Sequence, residues 1–142
     1  MAIPSHLALE IVTPERAVTH EKVDEVQIPG ADGYFGVLPG HTPLLASLQV
    51  GQLWYRKGTE ITYLSVAFGF AEVLPDRVTI LARIAEKADE IDVERATAQL
   101  KRAEAELSQS ATATPADLER ARISLLKALT RIQVAHKART RV

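Results

Sequence analysis

The sequence contains no cysteine, which removes disulfides, thiolate metal sites and thiol nucleophiles. No stretch approaches the roughly 20 apolar residues that span a bilayer. The opening residues, Met1 to Leu7, carry neither the basic and apolar regions of a secretory signal nor an arginine-rich transit segment, so a place on the cytoplasmic side is expected. The four histidines, His6, His20, His41 and His136, are scattered, and none is spaced as a pair of metal ligands. Nucleophile elbows, phosphate-cradling glycine loops and dinucleotide fingerprints are missing as well. The adjacent acids Asp24-Glu25 and Asp89-Glu90 read as solvated turn faces. With no catalytic centre in view, a binding or regulatory role is the expectation.

Glycine is missing from the second half. All seven glycines lie at or before Gly69, whereas the chain from Ala85 onward has thirteen alanines and one proline. Short apolar runs punctuated by glycine and proline write strands and turns, while alanine among charged residues at helical spacing writes packed helices. The character changes between Glu86 and Asp92. Two modules are therefore expected, a β-sandwich over residues 1–87 and a helical hairpin over 88–142. In the first, alternating runs cover 7–12, 17–22, 25–28, 33–37, 44–49, 52–56, 61–66, 68–74 and 78–84. About nine short strands with no helix between them predict antiparallel sheets folded as a sandwich or flattened barrel. The fold class is thus α+β in two parts.

In the second module, Asp92 is placed to cap a helix whose stripe is Val93, Ala96, Leu100, Ala103 and Leu107. A small polar stretch, 108–114, leads to Thr114-Pro115-Ala116-Asp117, a capping threonine with proline at the first helical position and a carboxylate three residues after the cap. The next stripe, Leu118, Ala121, Leu125, Leu129, Ile132 and Ala135, predicts a second helix packed antiparallel on the first. Alanine-rich seams bury little area, so the hairpin is expected to be marginal alone and able to redock or open.

The net charge of −1 conceals a division. Residues 1–116 carry ten basic and sixteen acidic side chains, and residues 117–142 carry seven basic and two acidic. The basic helix is drawn either to an acidic partner or to the acidic remainder of its own chain. It lacks aromatic residues for base stacking and the sequence pI is about 6.4, which argues against nucleic acid. An alanine-rich stripe without Trp or Phe also argues against direct membrane insertion.

The segment from Pro29 to Leu45, Pro-Gly-Ala-Asp-Gly-Tyr-Phe-Gly-Val-Leu-Pro-Gly-His-Thr-Pro-Leu-Leu, resembles the signature loop of the ε subunit of F-type ATP synthases. The likeness extends to the opening Leu-x-Leu-x-Ile-Val-x-Pro strand, to 69–73, and to Ile91-Asp92-Val93-Glu94-Arg95-Ala96. It implies a sandwich of about ten strands followed by a hairpin, in a non-catalytic rotor subunit that couples proton flow to ATP synthesis. The implied partners are the γ subunit, the c-ring and, through Arg120, Arg122, Lys127 and Arg131, the α/β catalytic head. The implied regulation is inhibition of ATP hydrolysis when the hairpin extends. Tyr34 stands where some bacterial relatives have an acid, so no salt bridge is carried onto it; His41 reads as a turn stabiliser.

The motif from Ile91 to Ala96 also resembles one by which some bacterial ε subunits bind a regulatory ATP. By position it implies contacts from Glu86, Ile91, Asp92, Arg95, Ala96, Arg102 and Arg131, with Lys127 departing from arginine. The same residues also satisfy a purely structural reading, in which Asp92 caps the helix and Arg95 pairs locally. For a subunit of this kind, the missing transit segment favours a peripheral protein at the bacterial inner membrane, with the plastid thylakoid as the alternative. The rival reading is a stand-alone sandwich that binds a small ligand, with the hairpin as a dimerisation arm.

Overall fold

In the computed structural model, which describes residues 2–109 and 113–139, eight strands precede two helices. They are β1 (Leu7–Val12), β2 (Ala17–Val23), β3 (Glu25–Gly30), β4 (Gly33–Val37), β5 (Leu44–Leu48), β6 (Gly51–Lys57), β7 (Glu60–Leu74) and β8 (Arg77–Lys87). A 3-10 turn (Ala88–Glu90) then leads to α1 (Val93–Ser108) and α2 (Pro115–Arg139). The alternation legible in β1 is realised: Leu7, Leu9 and Ile11 are fully buried while Glu10 is exposed. Val23, Val26, Ile28, Leu53, Leu64 and Ile80 complete the centre of one core, each worth about 1.5–3 kcal/mol of transfer free energy. The strands close on themselves, because β7 pairs with both β5 and β6, and β3 pairs with both of those in turn.

Among the described residues the count is eight, where spacing reads nine and the resemblance implies about ten. The runs 61–66 and 68–74 are one strand. Phe68 and Gly69 have φ of 60° and 123°, and this positive-φ pair bends β7, leaving Phe68 without a ladder partner while the register with β8 is the same on both sides. Buried residues switch from even positions (Leu64, Val66) to odd ones (Ala71, Val73) across the bend, and β8 switches opposite them, from Ile80 and Ala82 to Ala85. The two long strands thereby form a corner: the first half of β7 pairs with β6 and the second half with β5. A left-handed aromatic residue costs on the order of 1–3 kcal/mol, so contacts elsewhere must hold Phe68 in place. One pair also departs from the antiparallel expectation, since β1 lies parallel to β8.

Both helix starts follow the sequence. The Asp92 side chain accepts from the Arg95 amide at 3.1 Å. Thr114 and Asp117 satisfy each other's amides at 3.1 and 3.3 Å, with Pro115 opening α2. The seam keeps Ala96, Ala103, Ala121 and Ala135 of the predicted stripes and departs from them at Ala128 and Leu129. Ala96, Ala103, Ala121 and Ala128 are buried, whereas Leu129 is 37% exposed. α2 packs against α1 and the sandwich together, so its buried side is turned from the stripe that a single partner would select. Residues 110–112 of the polar link lie outside the described residues.

Candidate functional sites: a latched hairpin and an apolar sandwich face

The hairpin lies along β7 with charged residues at both ends and in the middle of the seam. Arg131 on α2 donates to both Glu86 oxygens on β8, Nε at 2.8 Å and Nη2 at 3.2 Å, and its Nη1 reaches Gln99 Oε1 at 3.3 Å. Gln99 donates onward to Ser124 at 3.1 Å, tying α1 to α2. Lys127 sits 5.7 Å from the Phe68 ring centroid and Lys137 sits 4.7 Å from that of Tyr63, both rings belonging to β7. Gln52 donates to Gln133 at 3.1 Å. The apolar part of the seam is small, a cluster of Ile91, Val134 and Ala135 with Tyr63, Ala88 and Val93 against it.

A second charge pair holds the hinge itself. Arg16, in the β1–β2 turn, meets Glu90 of the 3-10 turn at 3.0 and 3.2 Å, and Glu90 also accepts from the Lys87 amide at 3.0 Å. The Arg16 guanidinium holds the Glu90 carboxyl below the ordinary carboxylate range against the opposing effect of partial burial, and the Lys87 amide helps it. Arg16 and Glu90 are both well exposed, so this pair contributes little on its own. The Arg131–Glu86 pair is better shielded, with side chains 19% and 24% exposed. Removing one partner of a shielded, bidentate pair costs about 1–3 kcal/mol. Arg131→Ala is therefore expected to raise the undocked fraction of the hairpin about tenfold, and high salt to act in the same direction. Distance measurements between dyes on sandwich and hairpin check this, and an unchanged distribution would refute it.

The structure divides the residues that the resemblance groups around a nucleotide. Glu86 and Arg131 meet directly and line, with Ser65, Gln99 and Lys127, a cleft of about 250 Å³. Arg102 lines a groove of about 660 Å³ between the helices, beside Asp117, Arg120 and Ser124. The two hollows adjoin across the Gln99–Ser124 hydrogen bond. Arg95, Gln99 and Arg102 follow one another at steps of four and three, and so share one face of α1. Ile91 and Ala96 are packing residues, 9% and 0% exposed, and Asp92 is occupied as the helix cap. Sequence reasoning missed Gln99, Ser124, Phe68 and Tyr63 here. A left-handed bend was signalled only by the glycine between Phe68 and Phe70.

Of the four cations assigned to a partner, Arg120 and Arg122 make exposed pairs with Asp117 and Glu119 three residues earlier. Such pairs exchange readily for an external acid. Lys127 and Arg131 are engaged with the sandwich, so part of the basic surplus does meet its own chain.

A separate feature lies on the outer face of the sandwich. Phe70 and Leu81 are cross-strand partners, 54% and 53% exposed, and Leu45 on β5 is 70% exposed. Val12, Thr13 and Pro14 form the rim of the adjoining hollow, about 380 Å³. Leu45 lies diagonal to Phe70, with Glu72 as its direct ladder partner, and large apolar residues grouped on one outward face suit a docking surface. The signature loop lies nearby, held by a Gly40 amide bond to the Pro75 carbonyl at 2.7 Å. The His41 ring sits 2.6 Å from the Thr42 carbonyl, a local turn contact.

Among the described residues, no group of three or more histidine or acidic side chains is placed to hold a metal ion. No helix there is long and apolar enough to cross a membrane. A sandwich with an apolar docking face, joined to a hairpin latched by charge, defines a docking and regulatory subunit. The family models agree in detail: the ATP synthase delta/epsilon chain β-sandwich domain matches residues 6–88, and the delta/epsilon long α-helix domain matches residues 89–136. ATP synthase epsilon chain 2 of Syntrophotalea carbinolica is 53% identical over 131 residues, covering 91% of this chain and 93% of that one. The epsilon chain of Syntrophobacter fumaroxidans is 50% identical over 131 residues, covering 92% and 96%. The chain belongs to the ATP synthase delta/epsilon family, among the epsilon subunits, which are non-catalytic components of the F-type complex. Among solved structures, a chain of the Euglena gracilis mitochondrial ATP synthase, from a structure of OSCP, F1 and c-ring, superposes with a TM-score of 0.79 at 25% identity, covering 98% of this chain and 84% of its own. A chain of the Tetrahymena thermophila central stalk and c-ring shares the fold at a TM-score of 0.55 and 13% identity, covering 96% and 100%.

Proposed function

We propose that the chain is a movable brake on a rotor. Residues 1–87 form the fixed part, gripping the γ subunit through the Leu45–Phe70–Leu81 face and presenting the 31–41 loop to the c-ring. Residues 88–142 form the regulatory part. Docked, the hairpin permits turnover; extended along γ, it carries Arg120, Arg122, Lys127 and Arg131 to acidic surface on the catalytic head and blocks hydrolysis. The observation that carries this reading is the seam, held chiefly by the charged contacts of Arg131, Lys127 and Lys137 over a small apolar cluster. Such a seam is exchangeable for another acidic surface. The subunit is then peripheral, on the cytoplasmic face of a bacterial inner membrane. Deleting residues 88–142 in the reconstituted enzyme is expected to raise ATP hydrolysis about fivefold or more, at the low end of ordinary coupling energies. Unchanged hydrolysis would sink the proposal.

A nucleotide reading of the same cleft has support from the cations that converge on it. Arg131 and Lys127 from α2 line it, and Arg102 on α1 lines the adjoining groove, a set of cations that suits a polyphosphate. In the docked form the Glu86 carboxylate occupies the Arg131 fork, and about 250 Å³ lies below the roughly 300–1,000 Å³ of ordinary ligand sites. Regulatory ATP binding therefore requires Arg131 to exchange Glu86 for phosphate and the cleft to open into the Arg102 groove. Lys127→Arg, which replaces a point charge by a bidentate donor, is expected to tighten binding about tenfold. Calorimetric titration of the isolated chain tests both statements, and no heat at millimolar ATP would end the idea.

A further inference from the structure

Phe68 is the non-glycine residue with a positive φ among the described residues, at 60°. Outliers of this kind mark places where surrounding contacts hold a conformation that the residue itself disfavours. The β7–β8 ladder flanks Phe68 on both sides, but side-chain packing in the core adds no hold, because Phe68 is only half-buried and is not among the residues packed in the sandwich interior. A glycine would make the same bend without strain. What phenylalanine adds is its ring, and that ring lies against α2 with the Lys127 ammonium 5.7 Å from its centroid. Lys127 also lines the cleft that holds the Arg131–Glu86 pair and Gln99. Lys127 and Arg131 are one helical turn apart, so one face of α2 uses both contacts at once.

We propose that Phe68 is a strained anchor for the hairpin: the sandwich corner retains an unfavourable backbone conformation because the ring so placed seats α2 through Lys127. The proposal rests on the reading above, that the hairpin leaves the sandwich. It has a signature that ordinary packing does not share. Removing the ring and the strain together must tighten the sandwich corner and loosen the hairpin, two effects of opposite sign from one substitution. A core phenylalanine replaced by glycine would loosen both.

The cysteine-free sequence allows Thr59→Cys and Gln109→Cys, both at exposed positions, to carry a donor and an acceptor dye on the full chain. In that background Phe68→Gly is expected to raise the undocked fraction about tenfold and to slow hydrogen exchange at the corner amides of β7 and β8 by about fivefold to tenfold. Phe68→Asn, which tolerates the left-handed region but lacks the ring, should match it in the dye measurement. Lys127→Ala should raise the undocked fraction by about twofold to fivefold with corner exchange unchanged, as expected for one cation–π contact. Phe68→Gly that leaves the undocked fraction unchanged, or that speeds corner exchange, overturns the anchor. If Arg131→Ala shifts the dye distribution and Phe68→Gly does not, the movable hairpin stands and the anchor alone fails. If neither shifts it, the movable-hairpin reading fails and takes the anchor with it.

Discussion

The double substitution Phe70→Asp, Leu81→Asp is expected to detach the chain from γ while leaving the sandwich folded. Each side chain already shows more than half of its surface to solvent, so little core packing is lost on substitution. The two residues are direct partners across β7 and β8, and opposed carboxylates there cost at most about 1 kcal/mol by repulsion. The cost in the complex is much larger. Two half-exposed apolar side chains forfeit together about 2–3 kcal/mol of burial, and two carboxylates forced into an apolar contact add several kcal/mol of desolvation. A loss of at least about 4 kcal/mol is roughly a thousandfold in affinity. Co-purification with γ, alongside a circular-dichroism melt of the isolated chain, measures both halves of the expectation. Retention of γ at the unsubstituted yield would remove this face from the interface. Leu38→Asp, at a 54% exposed position in the signature loop, serves as the control that should spare γ.

The sandwich was legible because alternation is a local property. Leu7, Leu9 and Ile11 could be read inward from their spacing, and the Asp92 and Thr114 caps from residue types three positions apart. What escaped was set by partners distant in the chain. Two runs joined into β7 because β8 continues its ladder past Phe68, and no feature of 61–74 alone announces that. Periodicity places Leu129 in the seam, yet it is 37% exposed, because α2 answers to α1 and the sandwich at once. The Arg131–Glu86 pair spans 45 residues, and only the family resemblance put both names in one set. The same resemblance added Ile91 and Ala96, whose place in this fold is explained by packing. Resemblance supplies a set of residues, and the geometry shows that Glu86 and Arg131 meet directly in the docked hairpin.

Gly69→Ala is expected to be the most damaging single methyl group in the chain. A Cβ at residue 69 would clash with the Leu81 carbonyl oxygen and lie 2.9 Å from the Ala82 Cα, both backbone of the paired strand. No side chain can rotate away to make room, and φ of 123° is itself a region that only glycine adopts easily. The ladder must therefore part where β7 and β8 turn the corner together. Gly33 separates the two penalties: its φ is 133°, yet an added Cβ there meets nothing within 4 Å. Gly33→Ala carries strain alone, about 1–3 kcal/mol, whereas Gly69→Ala carries the same strain plus a backbone clash and should cost about 4 kcal/mol or more. On a marginal stability of about 5–15 kcal/mol, the second loss takes a large part of the whole. Chemical denaturation of the two variants side by side measures the difference. Equal midpoints would mean that the corner opens without cost. The same corner carries Phe68 toward α2 on one side and Phe70 into the outward apolar face on the other, so a parted ladder should weaken hairpin docking and, on the proposed reading of that face, partner binding together.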